Sequence, residues 1–242
     1  LPLDMAALAA HGDAALPDPA VIGRIRLLWL NSPSNPSGEV LDAAQLAAIV
    51  AWARERGIIV ASDECYALLP WTVPEVPSVL DPRVSGGELD GLLCVYSLSK
   101  QSNLAGYRAA FVAGDPALVG ELLAVRKQAG MMLPAPIQTA MTVALGDDDA
   151  AAGQREIYRS RRAVLEPALR AAGGEIHGSQ AGLYLWTTFG EKALTTVDRL
   201  AGLGVLVAPG MFYGEDGGAF VRVALTATDE RIAAAAQRLV RY

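Results

Sequence analysis

Lys100 stands in the run Ser97-Leu98-Ser99-Lys100-Gln101-Ser102-Asn103-Leu104-Ala105-Gly106-Tyr107-Arg108, directly after the apolar stretch 92–96. A primary amine at the mouth of a strand, with hydroxyls before it and an arginine eight positions on, suits a Schiff base to a phosphorylated aldehyde. A lysine with its ordinary pKa of about 10.4 is a poor nucleophile at neutral pH unless desolvation or a cationic neighbour lowers that value. Arg108 is a candidate for that neighbour. Its planar fork can also grip a phosphate through two parallel hydrogen bonds, with the Ser97 and Ser99 hydroxyls donating to the same group. The alternative for a lone lysine after a strand is a solvated surface residue.

The partners such chemistry needs lie upstream. Residues 58–62 read as a buried strand that ends in Asp63-Glu64-Cys65-Tyr66. Asp63 can face a pyridinium nitrogen and keep it protonated, so that the ring accepts electrons from a substrate carbanion, and Tyr66 can offer its hydroxyl to a ring oxygen. The cofactor with that ring is pyridoxal phosphate. The competing reading is that Asp63 and Glu64 cap the next segment. A further apolar strand at 25–30 runs into Asn31-Ser32-Pro33-Ser34-Asn35-Pro36-Ser37-Gly38, where two prolines and a glycine hold Asn35 in a fixed loop. Its amide can reach the same ring oxygen as Tyr66, or the segment is an ordinary Asn/Pro/Ser turn.

The signatures N-S-P-S-N-P-S-G at 31–38, S-D-E-C-Y at 62–66, S-L-S-K-Q-S-N-L-A-G-Y-R at 97–108 and F-V-R-V-A-L at 220–225 together resemble the class I and II aminotransferases of the pyridoxal-phosphate fold-type I superfamily. The resemblance implies an α/β fold, mainly a parallel sheet in a large domain plus a smaller α+β C-terminal domain. It implies Lys100 as the lysine that carries the cofactor, Asp63 on the ring nitrogen, Asn35 and Tyr66 on the ring oxygen, Ser97 and Arg108 at the phosphate, and Arg222 on the substrate α-carboxylate. Ala110 departs from the family, which more often has glycine there. Family members usually run well past 242 residues, so the family's N-terminal portion, with a phosphate loop and the aromatic residue that stacks on the ring, is expected to be missing. The wording of 129–136 and 224–231 resembles N-succinyldiaminopimelate aminotransferases of lysine biosynthesis, and the likeness runs from about Arg26 to Arg241. The implied partners are an amino acid, a 2-oxo acid and a second copy in a homodimer.

The elements that must position these residues alternate along the chain. Asp42 is a good N-cap with Gln45 three positions on, and Leu46, Ile49, Val50 and Ala53 mark one apolar helical face before Gly57. Strand, helix, strand implies parallel strands, whose carboxyl ends in open α/β sheets carry the ligand loops. Those loops are the ones at Asn35, Asp63 and Ser97. Residues 73–91, with three prolines and three glycines, read as a long loop. Asp115-Pro116 opens a helix after a strand at 109–113. A boundary is expected at 146–153, giving domains 1–150 and 151–242. The second holds a long helix to about Ala172, strands at 183–189, 203–207 and 220–225, and helices at 193–201 and 229–240.

Composition excludes several classes. A net charge of -6 gives no reason to expect nucleic acid. No apolar run approaches the roughly 20 residues of a membrane span, and no signal peptide is visible, so a cytoplasmic enzyme is expected. Cys65 and Cys94 form no C-x-x-C pair, and His11 and His177 lack a metal-binding spacing. The acids 147–149 read as a solvated linker, Gly214 to Gly218 as a turn, Trp186 as sheet packing, and Arg126-Lys127 as a helix C-terminal pair or an acidic-substrate contact. Two rivals share the motifs: a carbon-sulfur lyase, separated by assaying pyruvate from cystathionine, and the sensor domain of a transcriptional regulator, separated by the gene upstream of residue 1.

Overall fold

The computed structural model describes residues 3–16 and 18–240. Arg241, where the likeness ends, lies outside them. The chain divides into two compact units: Leu1–Pro33, Val40–Leu68 and Glu75–Ala151 form one, and Ser34–Glu39, Leu69–Pro74 and Ala152–Tyr242 the other.

In the first unit α1 (Met5–His11) precedes β1 (Leu27–Asn31), α2 (Ala43–Arg54), β2 (Ile59–Asp63), the short α3 (Pro82–Ser85), β3 (Leu92–Ser97) and α4 (Leu98–Gln101). Then come β4 (Ala110–Gly114), α5 (Pro116–Gln128) and α6 (Ala135–Leu145). The strands lie in the order β1-β2-β3-β4; the first three are parallel and β4 returns antiparallel to β3. The expected capping box starts α2: Asp42 Oδ1 accepts from Gln45 N at 2.8 Å and Gln45 Oε1 from Asp42 N at 3.0 Å, a cap worth about 1 kcal/mol. The apolar face read from the sequence is buried, and Leu46, Ile49 and Val50 join Leu28, Leu30 and Val60 in one core. Each such large side chain contributes about 1.5–3 kcal/mol.

Two expectations change here. Residues 73–91 are not all loop, because Asp81 Oδ1 caps Arg83 N at 2.8 Å and Pro82 occupies the first turn of α3, where its missing N–H costs nothing. The acids 147–149 are not a linker. Asp147 Oδ1 accepts from Ala150 N at 2.9 Å, and Asp148 and Asp149 fill the first turn of α7 (Asp148–Ala171), where the helix dipole favours them.

In the second unit β5 (Glu175–His177), β6 (Tyr184–Thr188), α8 (Ala193–Gly202), β7 (Ala208–Pro209), β8 (Phe220–Ala224) and α9 (Asp229–Val240) follow α7, and the sheet order is β5-β6-β8-β7, all antiparallel. The strand expected at 203–207 is absent. Gly204 N donates to Ala201 O and Val205 N to Leu200 O, at 2.8 and 2.9 Å. These donors close the end of α8, so pairing begins only at Ala208.

Segments 34–39 and 69–74 belong with this second sheet because their backbones are bonded to residues 179–182. Ser179 N donates to Ser37 O at 2.6 Å, and Ala181 N to Gly38 O, Trp71 N to Gln180 O and Gly182 N to Leu69 O, each at 2.9 Å. Gly38 has φ +69°, and a Cβ there would strike the Ala181 carbonyl. Only glycine permits that approach.

Candidate active site

β2 and β3 are adjacent and parallel, with Asp63 opposite Val95, so the loops that leave their carboxyl ends start side by side. Asp63 ends β2, and its Oδ1 accepts from Cys65 N at 3.1 Å. Ser97 ends β3 and caps α4: its Oγ accepts from Ser99 N at 3.2 Å and shares a 2.8 Å hydrogen bond with Ser99 Oγ. That cap starts the single turn carrying Lys100, whose Nζ lies 6.0 Å from the centroid of the buried Tyr66 ring. Asp63, Tyr66, Ser97, Ser99 and Lys100 therefore form one cluster at the strand ends.

Arg108 adjoins it. The Ser97 hydroxyl lies 3.1 Å from the Ala109 carbonyl, which draws the arginine loop against the end of β3. Arg108 itself is exposed, holds a left-handed backbone at φ 52°, and donates through Nη1 to Ala105 O at 3.0 Å. A non-glycine residue in that region costs free energy, about 1–3 kcal/mol, and such strain gathers at ligand clamps.

The neighbouring acid does something else. Glu64 is buried and accepts from Val79 N at 2.9 Å and from the Cys94 thiol at 3.2 Å, tying the segment before α3 to β3. Glu64 thus packs between β3 and the segment before α3, while Asp63 accepts from Cys65 N in the turn that follows β2.

Cys65 was passed over in the sequence, yet it sits among the site residues. Burial pushes its thiol up to about 12, helped by its hydrogen bond and charge contact with Asp63, against the smaller opposing effects of the Ser97 backbone and the Lys100 charge. Since the thiolate is the nucleophile, native Cys65 is expected to react with iodoacetamide at pH 8 at least about a hundredfold more slowly than in the unfolded chain. Timed alkylation followed by mass spectrometry checks this. The same shift lowers stability as pH rises from the thiol's ordinary 9.0 towards about 12, where the unfolded chain binds fewer protons than the folded one.

In the second unit Arg222 occupies the middle of β8, with Val221 and Val223 buried on the opposite face. Its Nη1 donates to Asn35 Oδ1 at 2.9 Å. Asn35, read from the sequence as a ligand of the ring oxygen, is thus bonded to the arginine read as the carboxylate anchor. The Arg222 Cζ also lies 3.9 Å from the Tyr184 ring centroid and 4.7 Å from that of Tyr213. Neither tyrosine was singled out in the sequence, since aromatic residues on a strand and in a turn read as packing. Arg126 Nη2 donates to Met131 O at 2.5 Å, across the turn that follows α5. Among the described residues no cluster of His, Cys, Asp or Glu could hold a metal.

Residues 3–239 match the family described as aminotransferase class I and II. The chain belongs to that family. Among its relatives is a 4-dedimethylamino-4-oxo-anhydrotetracycline transaminase, OxyQ of Streptomyces rimosus, 57% identical over 89% of this chain and 60% of that protein. An LL-diaminopimelate aminotransferase of Gloeobacter violaceus is 32% identical over 93% of this chain and 58% of its own length. The solved structure of a probable N-succinyldiaminopimelate aminotransferase of Thermus thermophilus superposes with a TM-score of 0.83 at 29% identity, covering 94% of this chain and 61% of that one. The chain thus spans about three-fifths of the length of these relatives. The fold is that of the fold-type I aminotransferases, with a mostly parallel sheet flanked by helices. The family depends on pyridoxal phosphate. The donor set at the ends of β2 and β3 fits that group: an amine for the aldehyde, a carboxylate for the ring nitrogen, a phenol for the ring oxygen and two hydroxyls for the phosphate.

Proposed function

We propose that this protein is a pyridoxal-phosphate-dependent aminotransferase that moves an amino group between an amino acid and a 2-oxo acid. The observation that carries the reading is the cluster of Asp63, Tyr66, Ser97 and Lys100 at the ends of two parallel strands. Lys100, Asp63, Tyr66, Asn35, Ser97, Ser99 and Arg108 would hold the cofactor. When bound, it supplies an electron sink for the pair left on the substrate Cα. Lys100 Nζ takes the proton from that Cα as general base. Asp63 holds a proton on the ring nitrogen by its charge, and Arg222 fixes the α-carboxylate so that one Cα bond is presented for cleavage.

N-succinyl-LL-2,6-diaminopimelate and 2-oxoglutarate are the proposed pair, supported by the likeness to the Thermus thermophilus protein. A second reading of the amino acceptor, a ring ketone such as 4-dedimethylamino-4-oxo-anhydrotetracycline, is favoured by the higher 57% identity to OxyQ. Comparing kcat/KM for the two acceptors decides between them. No described helix is long and apolar enough to cross a membrane, and we place the enzyme in the cytoplasm as a homodimer. Exposed apolar residues of α5 and its C-terminal turn, Leu122, Leu123, Val125, Met131 and Met132, support a protein partner.

Arg222→Lys tests the anchor, since it keeps the charge and loses the fork. It is expected to lower kcat/KM at least about tenfold for both the amino acid and the 2-oxo acid. The visible absorbance of bound cofactor should persist. Unchanged kinetics with both substrates, or loss of the cofactor, would remove Arg222 from the role.

A further inference from the structure

Arg222 is held by more than Asn35. Register places His177, Trp186, Arg222 and Ala208 in one row across the four strands of the second sheet. Trp186 stacks on Phe220, with centroids 5.0 Å apart and planes within 3°, and meets the Tyr213 ring edge-on at 6.0 Å and 89°. Tyr213 in turn lies against the guanidinium, and Tyr184, next but one along β6, lies against it too. The Arg222 Nε is buried with no hydrogen-bond partner among the described residues. The Tyr184 and Tyr213 rings contact the guanidinium beside that nitrogen.

The turn that delivers Tyr213 is set by a contact between two glycines. Gly210 and Gly217 are buried and back onto each other, so that a Cβ on Gly210 would strike the Gly217 carbonyl and would come within 2.6 Å of the Phe220 carbonyl and 2.7 Å of Trp186 Cη2. The clash is with backbone and with an indole already packed on Phe220, so neither can yield cheaply. The residues between the two glycines, Tyr213 among them, are thereby fixed against β8.

We propose that Tyr213 is a positioning residue for Arg222. Seated by the Gly210–Gly217 contact and by Trp186, its ring acts with that of Tyr184 to fix the plane of the guanidinium, so that the fork meets a carboxylate in one orientation. The inference rests on the reading of Arg222 as the carboxylate anchor. The proposed effect of Tyr213 on substrate passes through the arginine that it contacts. A guanidinium free to tilt keeps its charge but loses the coplanar pair of hydrogen bonds that distinguishes arginine from lysine.

The test uses the cofactor-loaded full chain, with glutarate as a non-reacting dicarboxylate probe. Tyr213→Leu is expected to raise the glutarate Kd, and the KM for the 2-oxo acid, by about tenfold, with a smaller change in kcat. Tyr213→Phe, which keeps the ring face, should restore both to within about twofold of the parent. Gly210→Ala should reproduce the leucine variant without touching the ring itself. In spectra with arginine labelled at 15Nε, and Arg222→Lys identifying the signal, the ring-current shift of the Arg222 Hε should collapse in Tyr213→Leu and survive in Tyr213→Phe. Weak glutarate binding in Arg222→Lys together with unchanged affinity and Hε shift in Tyr213→Leu would overturn the positioning role alone. Unchanged glutarate binding in Arg222→Lys would overturn the anchor, and the positioning role with it.

Discussion

Lys100→Ala is expected to abolish the visible absorbance of lysine-bound pyridoxal phosphate and to lower amino transfer by about 10³-fold or more. Two losses combine in it: the covalent attachment point, and the general base, which by itself contributes roughly 10²–10⁴. The lysine is half-buried at the end of β3. It lies in a single turn capped by Ser97, beside Tyr66 and close enough to Cys65 to act on its thiol. A solvated surface lysine would behave differently, since such substitutions usually change stability by no more than about 0.5 kcal/mol and leave chemistry alone. Steady-state kinetics and an absorbance spectrum of the purified variant suffice. Retained absorbance, or turnover within a few-fold of the parent, would return Lys100 to the surface class.

Asp63→Asn is expected to keep the cofactor and lose about 10²–10³ in kcat, the size of effect seen when a preorganised electrostatic partner is removed from a site. The substitution separates the two readings of this residue. As a turn former, Asp63 accepts from Cys65 N, and asparagine accepts from a backbone N–H as well as aspartate does. The fold and its melting temperature should therefore hold. As a partner for a protonated ring nitrogen, the residue needs its negative charge, which the amide lacks. Near-normal turnover in a well-folded Asp63→Asn would leave only the capping role.

The first unit was largely legible because its signals are local and periodic. The apolar face of α2, its capping box and the strand ends at Asp63 and Ser97 follow from spacing alone. The short helix α3 was hidden by prolines that read as loop but, at the first helical position, start a helix. In the second unit the expected strand at 203–207 failed because the backbone donors there turn back onto α8, a choice no side-chain pattern records. Arg222 was found through its motif. Its ring contacts were not, because Tyr184, Tyr213 and Asn35 lie 38, 9 and 187 positions from it in the chain, and only sheet register and the glycine-to-glycine turn bring the first two together. Cys65 was read by its spacing from Cys94, which says nothing of the Asp63 and Lys100 charges beside it.

The central claim is that Lys100 carries the cofactor, and reduction with borohydride tests it most directly. Treating the cofactor-loaded protein with borohydride should fix the pyridoxyl group irreversibly on one lysine and bleach the visible band, after which proteolysis and mass spectrometry locate the label. The label is expected on Lys100, in the peptide that ends at Arg108 after tryptic cleavage blocked at the modified lysine. Recovery of the label on Lys127 or Lys192, with Lys100 unmodified, would contradict it.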